Sequence, residues 1–216
     1  MHKLFILSLI LLGMTSCKKQ TYQPQDCDLI FQVAKGNDFS KAITDATAQT
    51  DEIKIDHVGM IVMEKGVPHV LEASSKRGVS VVSLQAFIDE LPSGYIIKRV
   101  KSSSAIEFEK VIQSAKSHIG EPYDWSYLPD NGKMYCSELI YECYRDNNGL
   151  PIFQARPMNF LDKDGNMPQF WTDLFKRLQE EIPQGVIGTN PNDLSKEEVL
   201  EEVYRLIPTT KQKAER

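Results

Sequence analysis

The sequence predicts an α+β fold, an antiparallel sheet or small barrel packed against helices and followed by a C-terminal helical extension. Three observations lead there. Between residues 29 and 100, short runs of alternating or β-branched apolar residues recur, two of them separated by Lys65-Gly66. After residue 104 the apolar spacing becomes helical. Finally, 216 residues at 41% hydrophobic and 25% charged suit one principal domain rather than two.

Composition also excludes several classes. Lys plus Arg number 25 against 30 Asp plus Glu, for a formal net charge of -5, and no basic run exceeds two residues. Such a chain is not expected to bind nucleic acid. No internal repeat, sustained heptad or low-complexity tract is present.

From the N-terminus, Met1-His2-Lys3 is a short basic start, and residues 4–14 form an apolar stretch too short to span a bilayer. Residues 1–16 therefore read as a secretory signal. Met14-Thr15-Ser16-Cys17 resembles the lipobox of bacterial lipoproteins, although Met14 stands where Leu is usual; Cys17 is thus expected to carry lipid and to tether the protein to a membrane of the bacterial cell envelope. Residues 17–27, polar and carrying Pro24, read as the flexible tether.

The folded domain is expected over 28–160. Residues 29–33 read as a strand, 38–49 as a short helix, and 53–63 as a strand with Val58, Met60 and Val62 on one face. Lys65-Gly66 turns the chain into a partner strand over 67–73, a third follows over 78–83, and Ser83 caps a short helix reaching Leu91. Residues 95–100 make another strand. Ser104 and Glu107 form a capping box for a helix that ends at Gly120. A loop over 121–135, with Pro122, Pro129 and Asn131-Gly132, leads to a helix over 136–147 stopped by Gly149-Leu150-Pro151. Residues 161–216 read as a helical extension packed on the core, with helices over 169–180 and, after a Ser195/Glu198 capping box, 196–207.

The chain has four cysteines. With Cys17 assigned to lipid, Cys27, Cys136 and Cys143 remain, an odd number for an oxidising compartment, so at least one thiol is free. No CxxC spacing suggests structural zinc. Cys136 sits where a loop becomes a helix, and the unpaired N–H groups of a helix start favour an anion, so a thiol there is disposed to act as a nucleophile. Cys143, two turns on, reads as a packing residue, while Cys27 either pairs with it or packs alone.

A nucleophilic thiol needs a base. His57 opens the apolar strand Ile55-Asp56-His57-Val58-Gly59, where Gly59 would leave room above the same face; the plainer reading is an edge or core histidine satisfied by a carbonyl. Hairpin register strengthens the catalytic reading. A two-residue loop at Glu64-Lys65 or Lys65-Gly66 puts Glu72 opposite His57 or one diagonal step away on the same face, whereas a three-residue loop would separate them. A Glu inside Val70-Leu71-Glu72-Ala73 needs a partner, and the imidazole is the expected one. His118, at a helix C-terminus, is the rival base.

These motifs together resemble a known family. Asp28-Leu-Ile-Phe-Gln, His57-Val-Gly, Val70-Leu-Glu72-Ala, Gly120-Glu-Pro-Tyr-Asp124 and Tyr135-Cys136-Ser-Glu-Leu are similar, in order and spacing over residues 28–145, to the circularly permuted NlpC-type, YiiX-like branch of the papain-like cysteine peptidases. In papain-like enzymes the Cys-bearing helix precedes the sheet carrying His; the permuted branch reverses that order, as here. The resemblance implies Cys136 as nucleophile, His57 as base and Glu72 as its orienting group, with Tyr123 lining the substrate site.

The implied chemistry is acyl transfer through a thioester, with no metal or organic cofactor. Asp162-Lys-Asp164-Gly-Asn166 lacks the distal Glu of a calcium loop and reads as a turn. The first expectation is hydrolysis of amide bonds in peptides or small amide-containing substrates, cell-wall peptides among them. A thiol acyltransferase or lipid-amide hydrolase is the alternative, to which an apolar pocket beside Cys136 would point. The third is a non-catalytic binding lipoprotein.

Overall fold

The computed structural model describes residues 22–48, 53–102 and 104–208, so the signal segment and Cys17 lie outside the described residues. Six strands form an antiparallel sheet, an open sheet rather than a barrel: β1 (Leu29–Val33), β2 (Ile55–Glu64), β3 (Val67–Ser74), β4 (Gly78–Ser83), β5 (Tyr95–Val100) and, from the far end of the chain, Leu200–Leu206. In space the order is β4-β3-β2-β1-β5 and then the C-terminal strand. Helix α1 (Asp38–Thr47) follows β1, and its N-cap Asn37 accepts from the Ser40 N–H. Helix α2 (Leu84–Asp89), capped by Ser83, follows β4.

The two faces of the sheet bury different clusters. Leu29, Phe31, Val58, Met60 and Leu71 meet helix α3 (Phe108–Ser117) through Val111, helix α4 (Cys136–Cys143) through Leu139 and Ile140, and helix α5 (Gln169–Leu178) through Trp171, Leu174 and Phe175. Ile30, Ile61, Val70 and Ile97 face the other way, under Phe87 and Leu91. A two-stranded ribbon, β6 (Arg156–Pro157) with β7 (Ile187–Gly188), and the short α6 (Pro191–Leu194) complete the chain before the last strand, β8 (Leu200–Leu206).

Several sequence expectations need correction. The segment expected as a helix over 196–207 is instead β8, an edge strand paired with β5. Its apolar residues do show helical spacing. A register shift between Ile97 and Lys98 absorbs the extra residue, so the neighbours Val203 and Tyr204 both pack on the smaller cluster, and the open edge of β5 supplies ladder partners that a surface helix would lack. The Ser195/Glu198 box does not form. Asn190 caps α6 instead, its Oδ1 accepting from the Asp193 N–H at 2.8 Å. The extension is thus no appendage to a domain ending at 160: it supplies a strand to the sheet and Trp171, Leu174 and Phe175 to the main core.

Two helices are also shorter than expected. The Ser104/Glu107 box is not made; α3 starts at Phe108 with Glu107 as an N-cap that lacks a side-chain bond. Helix α4 stops at Cys143 because Tyr144 turns into the core, where its hydroxyl donates to the Cys27 carbonyl at 2.8 Å.

The β2–β3 hairpin sets the register on which the site depends. Lys65 and Gly66 both take positive φ, 51° and 81°, and Glu64 pairs with Val67. That register carries Gly59 to the level of Glu72 and leaves His57 one diagonal step away. Gly59 is required there: a Cβ would stand 2.5 Å from Val70 Cγ1 and 3.4 Å from Glu72 Cβ. Beside His57, β1 pairs Gln32 with His57 and then Val33 with Ile55, a bulge at Asp56 that returns Ile55 to the same cluster as Val58. Gly59→Ala is expected to destabilise the domain by about 1–3 kcal/mol through this overpacking, read as a lower urea midpoint with an unchanged m-value.

Candidate active site

Cys136 is the first residue of α4, preceded by Tyr135 in an extended conformation. The Glu138 carboxylate reaches back to accept the Tyr135 N–H at 3.2 Å, half of a capping box. Burial pushes Glu138 up to about 8. The Tyr135 hydroxyl accepts from the Thr189 N–H at 3.1 Å, and Thr189 Oγ1 lies 3.0 Å from Ser137 Oγ, so the segment after β7 pins the start of the helix.

His57 meets Cys136 from the sheet. Its Nε2 donates to Glu72 Oε2 at 2.5 Å, leaving Nδ1 as the ring nitrogen not engaged by the carboxylate. Burial alone would lower the imidazole, but its contacts with Cys136 and Glu72 outweigh that and hold it up to about 10. It therefore stays cationic through neutral pH. Phe87 stacks on it, ring centroids 6.1 Å apart.

Glu72 is 3% exposed, and burial pushes its carboxyl upward; the bonds to His57 and Arg77 win and hold it below the ordinary carboxylate range. Arg77 Nη2 donates to Oε1 at 2.8 Å, while Nη1 and the Lys76 ammonium both reach Glu90. Arg77 is the residue that sequence reasoning missed. A signal for it existed: a strand Glu that must stay ionised needs a cation, and Lys76-Arg77 lies in the turn just beyond.

The other residues singled out from sequence fall into place or out of it. Tyr123 is buried beside Cys136, its ring 4.9 Å from Trp125 and edge-on to Phe39. His118 instead pairs with Glu121 at 3.0 Å and lies outside the cleft around Cys136 and His57. Cys27 and Cys143 are free and buried, and burial pushes their thiols up to about 12 and about 11. Asp162 accepts the backbone N–H groups of Asp164 and Asn166, the turn its sequence suggested.

The cleft has two lobes that share Tyr123 and Ile43 as walls. On the sulfur side, Tyr127, Tyr135, Met158, Phe160 and Trp171 surround a small cavity of about 50 Å³, well under the ~300–1,000 Å³ of small-molecule sites. On the imidazole side the lining is mixed, with Lys35, Asn37, Asp56, Ser75 and Arg77 beside Phe39, Phe87 and Leu91. Much of the sulfur-side wall thus comes from residues after 150. Among the described residues, no group of three or more His, Cys, Asp or Glu side chains is placed to hold a metal ion.

With this geometry in hand, comparison with known proteins is informative. Residues 23–204 match the model of a family described as "permuted papain-like amidase enzyme, YaeF/YiiX, C92 family". The uncharacterised protein YiiX of Escherichia coli (strain K12) is 32% identical over 184 residues, covering 84% of this chain and 85% of that protein. Protein OPG091 of Variola virus is 30% identical over 105 residues, 48% of this chain and 56% of its own. Among solved structures, the crystal structure described as metalloprotein yiiX from Escherichia coli O157:H7 superposes with a TM-score of 0.71 at 28% identity, covering 87% of this chain and all of that one.

The electrostatics make an ordered expectation. At pH 7 iodoacetamide should alkylate Cys136 in the folded protein well before Cys27 or Cys143, which peptide mapping would resolve; equal labelling of Cys136 and Cys143 would contradict the geometry. Because folding raises the His57 pKa, the stability contributed by its protonated form is complete below about pH 6.5 and is lost as pH rises through about 10. Denaturant midpoints of wild type and His57→Gln should therefore converge above that pH.

Proposed function

Since the chain belongs to the permuted papain-like amidase family of the YaeF/YiiX type, we propose that it is a cysteine amidase in which Cys136 is the nucleophile, His57 the acid and base, and Glu72 the group that orients His57. The observation that carries this reading is the imidazole held between the Cys136 thiol and the buried Glu72 carboxylate.

The chemistry follows from that arrangement. The Cys136 sulfur, its proton held on His57, adds to an amide carbonyl carbon, and the N–H groups at the start of α4 stabilise the oxyanion. As the C–N bond breaks, the leaving nitrogen takes the proton from the imidazolium. Water then attacks the thioester, gives a proton to His57, and releases the acid and the thiol. Glu72 keeps the ring in one tautomer and orientation throughout, and Arg77 keeps Glu72 ionised.

For the substrate, amide bonds of envelope peptides are one candidate. The aromatic lining beside Cys136 favours the second reading, in which the group transferred to sulfur is an apolar acyl chain and the enzyme is a lipid-amide hydrolase or acyltransferase. Cys17, by its likeness to a lipobox residue, would hold the enzyme on an envelope membrane.

Two experiments test these assignments. Cys136→Ala should abolish amide turnover, and Glu72→Gln should lower kcat/KM by about 10²–10⁴-fold while moving the thermal midpoint comparatively little; a Glu72→Gln protein that is destabilised yet labels at the wild-type rate would reduce the site to Cys136 and His57. Failure of a thiol-directed probe to label Cys136 would leave a binding protein. Cys17→Ser should release the chain from the membrane fraction or stall its processing, and unchanged partition would refute the anchor.

A further inference from the structure

Among the described residues, four buried side-chain polar atoms have no hydrogen-bond partner: Ser80 Oγ, Glu121 Oε2, Tyr127 Oη and Trp171 Nε1. Tyr127 and Trp171 both line the cavity beside Cys136. The Trp171 indole is boxed by Phe160, Phe170 and Tyr127, with ring centroids 5.1 to 5.6 Å away and planes nearly perpendicular, and aromatic faces of this kind take up an N–H. The Tyr127 hydroxyl has no such outlet. The Tyr123 phenol lies near enough for the two to influence each other, but the geometry of a hydrogen bond is not met. Tyr127 therefore keeps a donor beside the sulfur, in a buried wall, with no acceptor from the protein, an arrangement that calls for an explanation.

The backbone holds the ring there under strain. Tyr127 takes a left-handed φ of 55°, which residues with bulky side chains rarely adopt. Asp124, itself without exposure, enforces it: Oδ1 accepts from the Ser126 N–H at 2.9 Å and the Ser126 hydroxyl at 2.5 Å, and Oδ2 accepts from the Leu128 N–H at 2.9 Å. Burial first, and then the charge of Cys136 and Asp124, pushes the Tyr127 phenol well above its ordinary range, so the hydroxyl keeps its proton wherever the thiol works. Reaction chemistry supplies the acceptor. When a sulfur adds to a carbonyl, the oxygen becomes an anion, and other polar groups at the start of α4 are already engaged: the Tyr135 N–H by Glu138, the Ser137 hydroxyl by Thr189 Oγ1, and the Tyr135 hydroxyl by the Thr189 N–H.

Resting on the amidase reading above, we propose that Tyr127 is a further catalytic residue whose hydroxyl donates to the oxyanion formed on the acyl carbon, with Asp124 as the positioning residue that holds its strained turn. As the Cys136 sulfur adds, the C=O π pair moves onto oxygen and meets the Tyr127 O–H, which shares its proton without surrendering it. When the pair returns, the C–N bond breaks and the nitrogen leaves with the proton of the His57 imidazolium. The tyrosine ends each half-reaction unchanged.

The test sets two reactions of the same sulfur against each other in the full-length protein. Acylation by p-nitrophenyl butyrate passes through an oxyanion and is read as the initial release of p-nitrophenolate, with Cys136→Ala as background; alkylation by iodoacetamide forms no oxyanion. Tyr127→Phe should slow acylation by about 10²-fold and leave alkylation at the wild-type rate. Its thermal midpoint should be unchanged or higher, since the hydroxyl removed has no partner. Tyr123→Phe should slow acylation less. Wild-type acylation in Tyr127→Phe, an equal loss of both reactions, a midpoint that falls with the acylation rate, or a loss confined to Tyr123→Phe would each overturn the proposal. So would a wild type whose Cys136 is alkylated rapidly but which releases no p-nitrophenolate above background, a result that leaves Cys136 standing as the nucleophile. If Cys136 is inert to alkylation, the amidase reading falls and this proposal with it.

Discussion

One buried carboxylate organises this molecule's chemistry. Glu72 is almost without exposure, and an isolated charge in such a place would simply take up a proton. It stays ionised because its two oxygens have separate cationic partners, the imidazole at 2.5 Å and the Arg77 guanidinium at 2.8 Å. The same carboxylate raises the basicity of His57, and His57 in turn faces the sulfur at the head of α4. Removing any link would leave a neighbour with a charge that its surroundings cannot solvate.

The sheet exists, from the point of view of the site, to hold that chain in register. A tight two-residue turn fixes β2 against β3, Gly59 gives Val70 the room it needs beside Glu72, and the bulge at Asp56 ends the regular alternation right next to His57. A second irregularity at the other side of the sheet lets β8 present both Val203 and Tyr204 inward. Tyr22 stacks on Tyr204, and its hydroxyl shares Asp28 with Arg99, so the chain is clamped to the sheet as it enters the domain.

Much of this was legible from residue order alone, and the reasons are local. His57 and Glu72 are related by hairpin arithmetic, which needs only turn length, and of the two registers the sequence allowed the chain adopts the one with Glu72 a diagonal step away. Cys136 was marked by a loop-to-helix boundary. What escaped depended on distant partners. The spacing of residues 199–207 satisfies a helix and a bulged strand equally, and the free edge of β5 that decides between them lies outside any local window. Likewise Phe160 and Trp171 line the cleft only because the segment carrying them folds back against α1, beside the start of α4.

The pairing of Tyr95 with Leu206 and of Val100 with Leu200 has a kinetic meaning as well. High contact order of this kind delays completion of a fold, because a long loop must close before any ladder bond forms. During synthesis β5 is left as a raw edge until residue 206 has emerged, and the wall around the sulfur is assembled over the same interval. The candidate site is thus completed only by a long-range closure, so an unfinished chain carries Cys136 and His57 without the wall of Phe160 and Trp171 beside the sulfur.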